Sequence, residues 1–248
     1  DDLYIKITKP GRQIRLRSIT VEFEYSVAVT HTVTYLGNGN TGGSAPTQSP
    51  VAEGKTFTVA ANTFIKTGNT FSGWKDQAGI SYSPNASYTM GTSDVTLTAQ
   101  WSPISYTLAY NANGGEGTVT GGSHSYGSTF NLSSSTFTKE DYTQDGWATS
   151  ANGAKAYDLG GSYTMPANAV TLYAHWKANQ YTITYNANGG SGSVADQTAD
   201  YNSSVTLASS GFTKTHYDLD GWATSADGAV AYQLGASISM PSGGLQLY

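Results

Sequence analysis

The sequence predicts a mainly β chain with little helix, in which three small modules follow one another in tandem. Three observations carry that prediction. Aromatic and methionine markers recur in register, composition favours strands and turns, and short runs alternate apolar with polar residues between glycine-rich breaks. Tyr35, Tyr110 and Tyr185 recur every 75 residues, as do Met90, Met165 and Met240, and Trp101 and Trp176 keep the same interval. Trp74, Trp147 and Trp222 follow at 73 and 75, each after a glycine, so all five tryptophans occupy equivalent positions. Charged residues make up 12% of the chain while glycine contributes 29 residues and tyrosine 18. The Lys and Glu that fill exposed helical surfaces are therefore scarce, and no window sustains apolar spacing of about 3.6 residues.

In chain order, residues 1–26 form a separate piece. Leu3 to Ile7 and Arg12 to Tyr25 read as two strands joined by a Lys9-Pro10-Gly11 turn, with a slip in alternation between Leu16 and Ile19 that suggests a bulge. A lone hairpin is marginal in water, so these strands are expected to close a β-sandwich domain lying upstream, or else to pack on the first repeat. The repeats then span 31–101, 105–176 and 180–248, joined by linkers of a few residues, which favours a semi-rigid array over loosely strung beads.

Each repeat opens with an alternating run: His31, Val33, Tyr35; Tyr106, Leu108, Tyr110; Tyr181, Ile183, Tyr185. The glycine-rich loops Asn111 to Gly117 and Asn186 to Gly192 turn the chain. The runs STFNL and SSVTL supply short strands, and the Trp segment follows. Downstream, Asn152-Gly153 and Asp227-Gly228 predict a hairpin turn, because such pairs accept positive φ. The first copy keeps only Ala78-Gly79 there and is the divergent, capping member. Val95, Leu97, Ala99, Trp101 and Val170, Leu172, Ala174, Trp176 close the modules. The third copy ends at Tyr248, the equivalent of Tyr173, three residues before the expected Ala-x-Trp; this reads as a cut.

The runs YTITYNANGGSGSVADQTADYNSSVTL, FTK before DGWATSADG, and YTMPANAVTLYAHW resemble the Listeria-Bacteroides repeat, also described as the internalin B-repeat family. The resemblance covers the three copies, from about residue 31 to 248. It implies modules with a small β-grasp-like sheet and at most one short helix, found in tandem on bacterial surface proteins as stalk or adhesion units. The expected location is extracellular, on a bacterial cell surface or secreted. The expected partner is a host or neighbouring-cell surface protein or glycan. The first copy departs from the pattern, with YLGNGN for YNANGG and no WATS.

Other chemistries find little support. A net charge of −5, with all three arginines in the first 17 residues, lacks the basic footprint of a nucleic-acid binder. No cysteine is present, which excludes disulfides and Cys-ligated metals. No apolar run approaches the roughly 18 residues of a membrane span, and no leader-like segment follows Asp1. In NGGEGTVTGG the third glycine falls one place late for a dinucleotide fingerprint, and a β-forming Thr-Val-Thr stands where a helix should begin. His31, His124, His175 and His216 occupy four different repeat phases, so no metal or other cofactor is expected. Asp145 and Asp220 recur before Gly-Trp, but Ser72 replaces them in the first copy and no cleft with two distinct carboxylates is apparent. The chain therefore reads as non-catalytic.

Lys66, Lys139 and Lys214 recur with Asn38, Asn113 and Asn188, the pairing that an internal isopeptide crosslink uses. That chemistry also needs a buried acid, and none recurs in step with them. A module of about 70 residues with few charges and no disulfide builds its core from large aromatics. Trp74, Trp101, Trp147, Trp176, Trp222, Tyr110 and Tyr185 are assigned to that core. Tyr173 on the outer face and Asn111, Asn113, Asn186 and Asn188 in the loops are the candidate ligand contacts. Equivalent faces along an array would give avidity from weak contacts. A carbohydrate-binding accessory region of a larger secreted enzyme is the alternative reading.

Overall fold

Alternation in the opening runs places every second side chain inward, and the computed structural model shows the result. Val33–Leu36 buries Val33 and Tyr35, Ser105–Asn111 buries Leu108, and Gln180–Tyr185 buries Ile183. The structure describes residues 27–248 together with Gly11, Ser18 and Thr20; the two strands expected within residues 1–26 lie outside the described residues. Among the described residues there is no helix.

The second copy shows the module plan in full. Five strands form a mixed sheet in the order Gly122–Ser125, Ser105–Asn111, Val170–Ala178, Tyr142–Ala148, Lys155–Tyr157. The opening strand runs parallel to the closing strand, from Leu108 opposite Val170 to Asn111 opposite Tyr173. The Trp strand runs antiparallel on its other side, from Tyr142 opposite Ala178 to Ala148 opposite Tyr173, with a register shift between Gln144 and Gly146. A separate ribbon pairs Thr129–Asn131 with Ser162–Thr164 and contributes Tyr163 to the same core. The third copy repeats the parallel pairing, Ile183 to Tyr185 against Leu245 to Leu247, and the ribbon, Ser204–Thr206 against Ser237–Ser239. In the first copy Val95 to Thr98 run parallel to Val33 to Leu36, and Thr56–Thr58 pairs with Ser87–Thr89.

Contacts group the chain into two compact units. Of the described residues, one holds 27–38, 44–63 and 73–99; the other holds 39–43, 64–72 and 100–248.

Each copy is organised around one tryptophan with no exposed surface: Trp74, Trp147 and Trp222. The indole N–H of Trp74 donates to the carbonyl of Ala60 at 2.9 Å, that of Trp147 to Ser133 at 3.2 Å, and that of Trp222 to Ala208 at 2.8 Å. The opening-strand tyrosine takes the other group of the same residue. Ala60, Ser133 and Ala208 donate their N–H groups to the hydroxyls of Tyr35, Tyr110 and Tyr185 at 2.9, 2.8 and 3.0 Å. Each Tyr ring also lies against its Trp ring, with centroids 4.8, 4.4 and 4.7 Å apart. Each Trp is buried with its N–H satisfied, and its Tyr, buried at Tyr35 and half-buried at Tyr110 and Tyr185, has its hydroxyl satisfied too, which removes the cost of an unpaired polar tip in the core. Burial pushes the hydroxyls of Tyr35 and Tyr110 above the usual tyrosine range.

Trp101 and Trp176 were assigned to the core with the other tryptophans. Both are half-buried. The ring of Trp176 packs against the second core at its margin, and Trp101 meets Phe71 edge-on at 5.7 Å. They lie two residues beyond Ala99 and Ala174, the last fully buried residues of the closing strands.

Candidate functional site

The glycine-rich loop is a tight turn built by asparagine. Asn113 and Gly114 have φ of 51° and 83°, and the N–H of Gly115 donates to the carbonyl of Ala112 at 3.0 Å. Asn188 and Gly189 repeat this at 47° and 79°, closed by Gly190 on Ala187 at 2.8 Å. Positive φ at both central residues is the two-residue hairpin geometry that Asn-Gly favours. The expectation had placed that geometry at Asn152-Gly153 and Asp227-Gly228. The hairpin there exists, with Trp147 opposite Tyr157, but neither pair has positive φ. The N–H of Gly153 instead closes on Ser150 at 3.1 Å, and glycine is used because a Cβ would lie 2.7 Å from the Ser150 hydroxyl.

Asparagine side chains spend their polarity inside the module. The Asn113 amide nitrogen donates to the carbonyls of Ala151 at 2.8 Å and Ala174 at 2.9 Å, and its backbone N–H donates to the Asn111 side-chain oxygen at 2.8 Å. The Asn188 amide nitrogen donates to the carbonyl of Ala226 at 2.7 Å, and its backbone N–H donates to the Asn186 side-chain oxygen at 2.9 Å. Asn38 reaches Ala99 at 2.9 Å. These side chains join the turn to the closing strand and to the neighbouring hairpin. Tyr173 is half-buried in the closing strand.

Above the turn sits Trp176. Its N–H donates to the carbonyls of Asn113 at 3.0 Å and Ala112 at 3.2 Å, while Lys139 lies over the ring at 5.7 Å. A Cβ on Gly115 would stand 2.4 Å from that ring, so the glycine is the seat of an indole. The recurring lysine does come to the recurring turn, as Lys214 donates to the Asn188 main-chain carbonyl at 3.2 Å. It meets the backbone, and the Asn113 amide is held elsewhere, so the arrangement differs from an isopeptide pair.

His175 lies beside Asp145, with Nδ1 2.6 Å from Oδ1. His124 stacks on Phe130 at 3.5 Å, and His31 stands 3.9 Å from Asp94. Among the described residues no cluster of three or more His, Cys, Asp or Glu is placed to hold a metal ion.

A second device was not visible beforehand. Two residues after the recurring lysine come Gly68, Asp141 and His216, all with positive φ, at 67°, 61° and 67°. The carbonyl of Asp141 accepts the N–H of Asn179 at 2.9 Å, and the carbonyl of Asn179 accepts the N–H of Tyr201 at 2.7 Å. Gly68, Ile104 and Tyr126 repeat both bonds at 2.8 Å. Ile104 and Asn179 are the single residues between a closing strand and the next opening strand, so the joint is pinned through the main chain.

At Asp141 side chains add to it. The carboxylate accepts the hydroxyls of Ser242 at 2.6 Å and Tyr181 at 2.7 Å, and the residue is 9% exposed. Ser242 first and then Tyr181 hold its pKa below the usual aspartate range, opposed by desolvation and helped by Tyr201. At Gly68 the ring of Tyr126 occupies the space a Cβ would need, at 2.3 Å, so no side chain fits. The only advance signal was a glycine aligned with an aspartate and a histidine at one repeat position.

Over 178 residues, 70% of this chain, the sequence is 33% identical to a protein of Evansella cellulosilytica described as a Gly-rich membrane protein, covering 20% of it. A second membrane protein of that organism is 29% identical over 141 residues, and internalin H of Listeria monocytogenes is 32% identical over 111 residues, or 19% of its length. The chain thus spans about a fifth of the curated relatives it matches. No solved structure matches it significantly. The Listeria-Bacteroides repeat domain matches three times, at residues 31–100, 106–175 and 181–248, and the chain belongs to that family.

Proposed function

We propose that these repeats act as a spacer on the outside of a bacterial cell, setting the distance and direction of a distal domain while their repeated faces contact a surface protein or glycan. The joint at Asp141 is the observation that carries this reading. A spacer works only if successive modules keep a fixed relation, and here one linker residue is tied on both sides while a carboxylate is shared among three elements. The described relatives, two membrane proteins and an internalin, fit a surface location. The Asn and Trp groups at the turn tips support the module itself, which leaves adhesion to weaker contacts summed over copies.

Small-angle scattering of chains with one, two and three repeats tests the spacer. The maximum dimension should grow by a constant increment per repeat, and a spread of dimensions typical of loosely strung beads would refute the reading. The same series on glycan and host-protein arrays tests adhesion: binding should rise with repeat number.

A further inference from the structure

Four Asn-Gly pairs occur in the chain, at Asn38, Asn113, Asn152 and Asn188. Such a pair is chemically labile wherever the asparagine side chain can fold back, because glycine has no side chain to shield its amide nitrogen. The fold treats the four differently. Asn38, Asn113 and Asn188 hold φ of 52°, 51° and 47°, and the side-chain amide of each is tied to a carbonyl distant in sequence. Asn38 donates to Ala99 at 2.9 Å, Asn113 to Ala151 and Ala174 at 2.8 and 2.9 Å, and Asn188 to Ala226 at 2.7 Å.

Asn152 does not take positive φ. It is exposed, and its side chain has no hydrogen-bond partner among the described residues. Exposure alone does not separate the pairs, since Asn38 and Asn188 are exposed as well. The clamp does. What restrains Asn152-Gly153 is one bond within its own turn, from the N–H of Gly153 to the Ser150 carbonyl at 3.1 Å. A single bond closing an exposed turn opens locally more readily than one anchored across a sheet.

The third copy shows which product the turn accepts. Asp227 stands where the second copy has Asn152, Gly228 closes on Ser225 at 3.0 Å as Gly153 does on Ser150, and Ala226 still accepts Asn188. Aspartate therefore fits this turn without disturbing its neighbours.

We infer that Asn152 is a self-modification site, the Asn-Gly pair that this fold leaves able to deamidate. The Gly153 nitrogen attacks the side-chain carbonyl carbon of Asn152 and gives up its proton. A C–N bond forms, the bond to the amide nitrogen breaks, and ammonia leaves with that proton, closing a succinimide. Water then opens the ring at either carbonyl. Opening at the side-chain carbonyl yields aspartate, the residue of the third copy. Opening at the main-chain carbonyl yields isoaspartate, which routes the backbone through the side chain and lengthens it between Ala151 and Gly153. The Ala151 carbonyl holds the Asn113 amide, so the isoaspartyl form loosens the glycine-rich turn as well. Both products add a negative charge at neutral pH.

The test incubates the unaltered 1–248 chain in mildly alkaline buffer, folded and in urea, and follows each Asn-Gly pair by peptide mapping with mass spectrometry. In the folded chain Asn152 should convert at least about tenfold faster than Asn38, Asn113 and Asn188, which must first break their clamps. In urea the four rates should fall within about threefold of one another, as the clamps are gone and three of the pairs share the preceding alanine. Electron-transfer fragmentation separates isoaspartate from aspartate. The isoaspartyl fraction should exchange the Gly115 amide, which closes the glycine-rich turn, faster than the unmodified chain, while Asn152→Asp should match it. A folded-state rate at Asn152 no greater than at the clamped pairs, the same preference persisting in urea, or unchanged Gly115 exchange in the isoaspartyl fraction would each overturn the inference.

Discussion

Replacing Trp147 with alanine tests whether the repeat tryptophan is the core of its module. The side chain has no exposed surface, and its ring lies 4.4 Å from Tyr110 and 6.1 Å from Phe137 between centroids. Truncating a buried tryptophan costs about 3 to 5 kcal/mol. The upper half of that range is expected, because the Ser133 carbonyl also loses one of its two donors, a change worth about 1 kcal/mol, and keeps only the N–H of Gly160. A module of about 70 residues has roughly 4 to 10 kcal/mol of stability in total, so the second copy should be close to unfolded. Urea titration followed by hydrogen exchange, resolved over residues 105–178, reads that copy separately from its neighbours. Trp176→Ala is the internal comparison, as its half-buried ring should cost only about 2 kcal/mol. A Trp147→Ala cost below about 1 kcal/mol, or a larger cost for Trp176→Ala, would refute the core assignment.

The turn and the joint give further expectations. Asn113→Ala loses two amide hydrogen bonds and puts alanine at φ 51°, so it should cost about 2 to 4 kcal/mol. Asn113→Gly keeps the backbone and loses only the bonds, so its urea midpoint should lie higher; equal midpoints would remove the φ argument. Gly115→Ala drives a methyl against the Trp176 ring and should cost about 1 to 3 kcal/mol. A double-mutant cycle with Trp176→Ala should recover part of that cost but not all of it, because the Thr138 carbonyl is also 2.7 Å away. Asp141 has a folded pKa below its unfolded one. Its contribution is therefore complete above the ordinary aspartate value of 3.8 and is lost as pH falls through the depressed value. Exchange at the amides of Asn179 and Tyr201 should accelerate in that acid window, and Asp141→Asn should flatten the response.

What the sequence showed and what it hid divide along physical lines. Strand alternation and the Trp register were legible because burial imposes them residue by residue: Leu172 and Ala174 are fully buried, while Thr171 before them is exposed and Tyr173 between them is half-buried. Asn-Gly chemistry was legible as a type and misplaced in position. Asn113-Gly114 and Asn152-Gly153 are the same dipeptide, and only the first takes positive φ, since its amide is anchored by Ala151 and Ala174 across the sheet. That anchor is tertiary and leaves no local trace. The half-buried depth of Trp176 was not legible for a related reason, because period two gives the face of a strand but not where the core beneath it ends. The joint at Asp141 was hidden altogether, as its partners Tyr181 and Ser242 lie 40 and 101 residues away.

The joint also explains why one position can carry glycine, aspartate and histidine. Its essential bonds use the carbonyls of Gly68 and Asp141 and the N–H and carbonyl of Ile104 and Asn179, none of which depends on a side chain. The positive φ does constrain the residue, and glycine, aspartate and histidine are among those that tolerate it. Side-chain identity is then free to follow the neighbour. Where Tyr126 packs directly on the chain only glycine fits, whereas at Asp141 a carboxylate gathers two hydroxyls. Asp141→Asn should therefore change the acid response while leaving the main-chain bonds of Asn179 and Tyr201 in place at neutral pH. Proline at Asn179, which removes the donor to Asp141, should release the joint at every pH. Measured by exchange at Tyr201, a joint that survives Asn179→Pro but fails in Asp141→Asn would mean that side chains, not backbone, hold successive modules together.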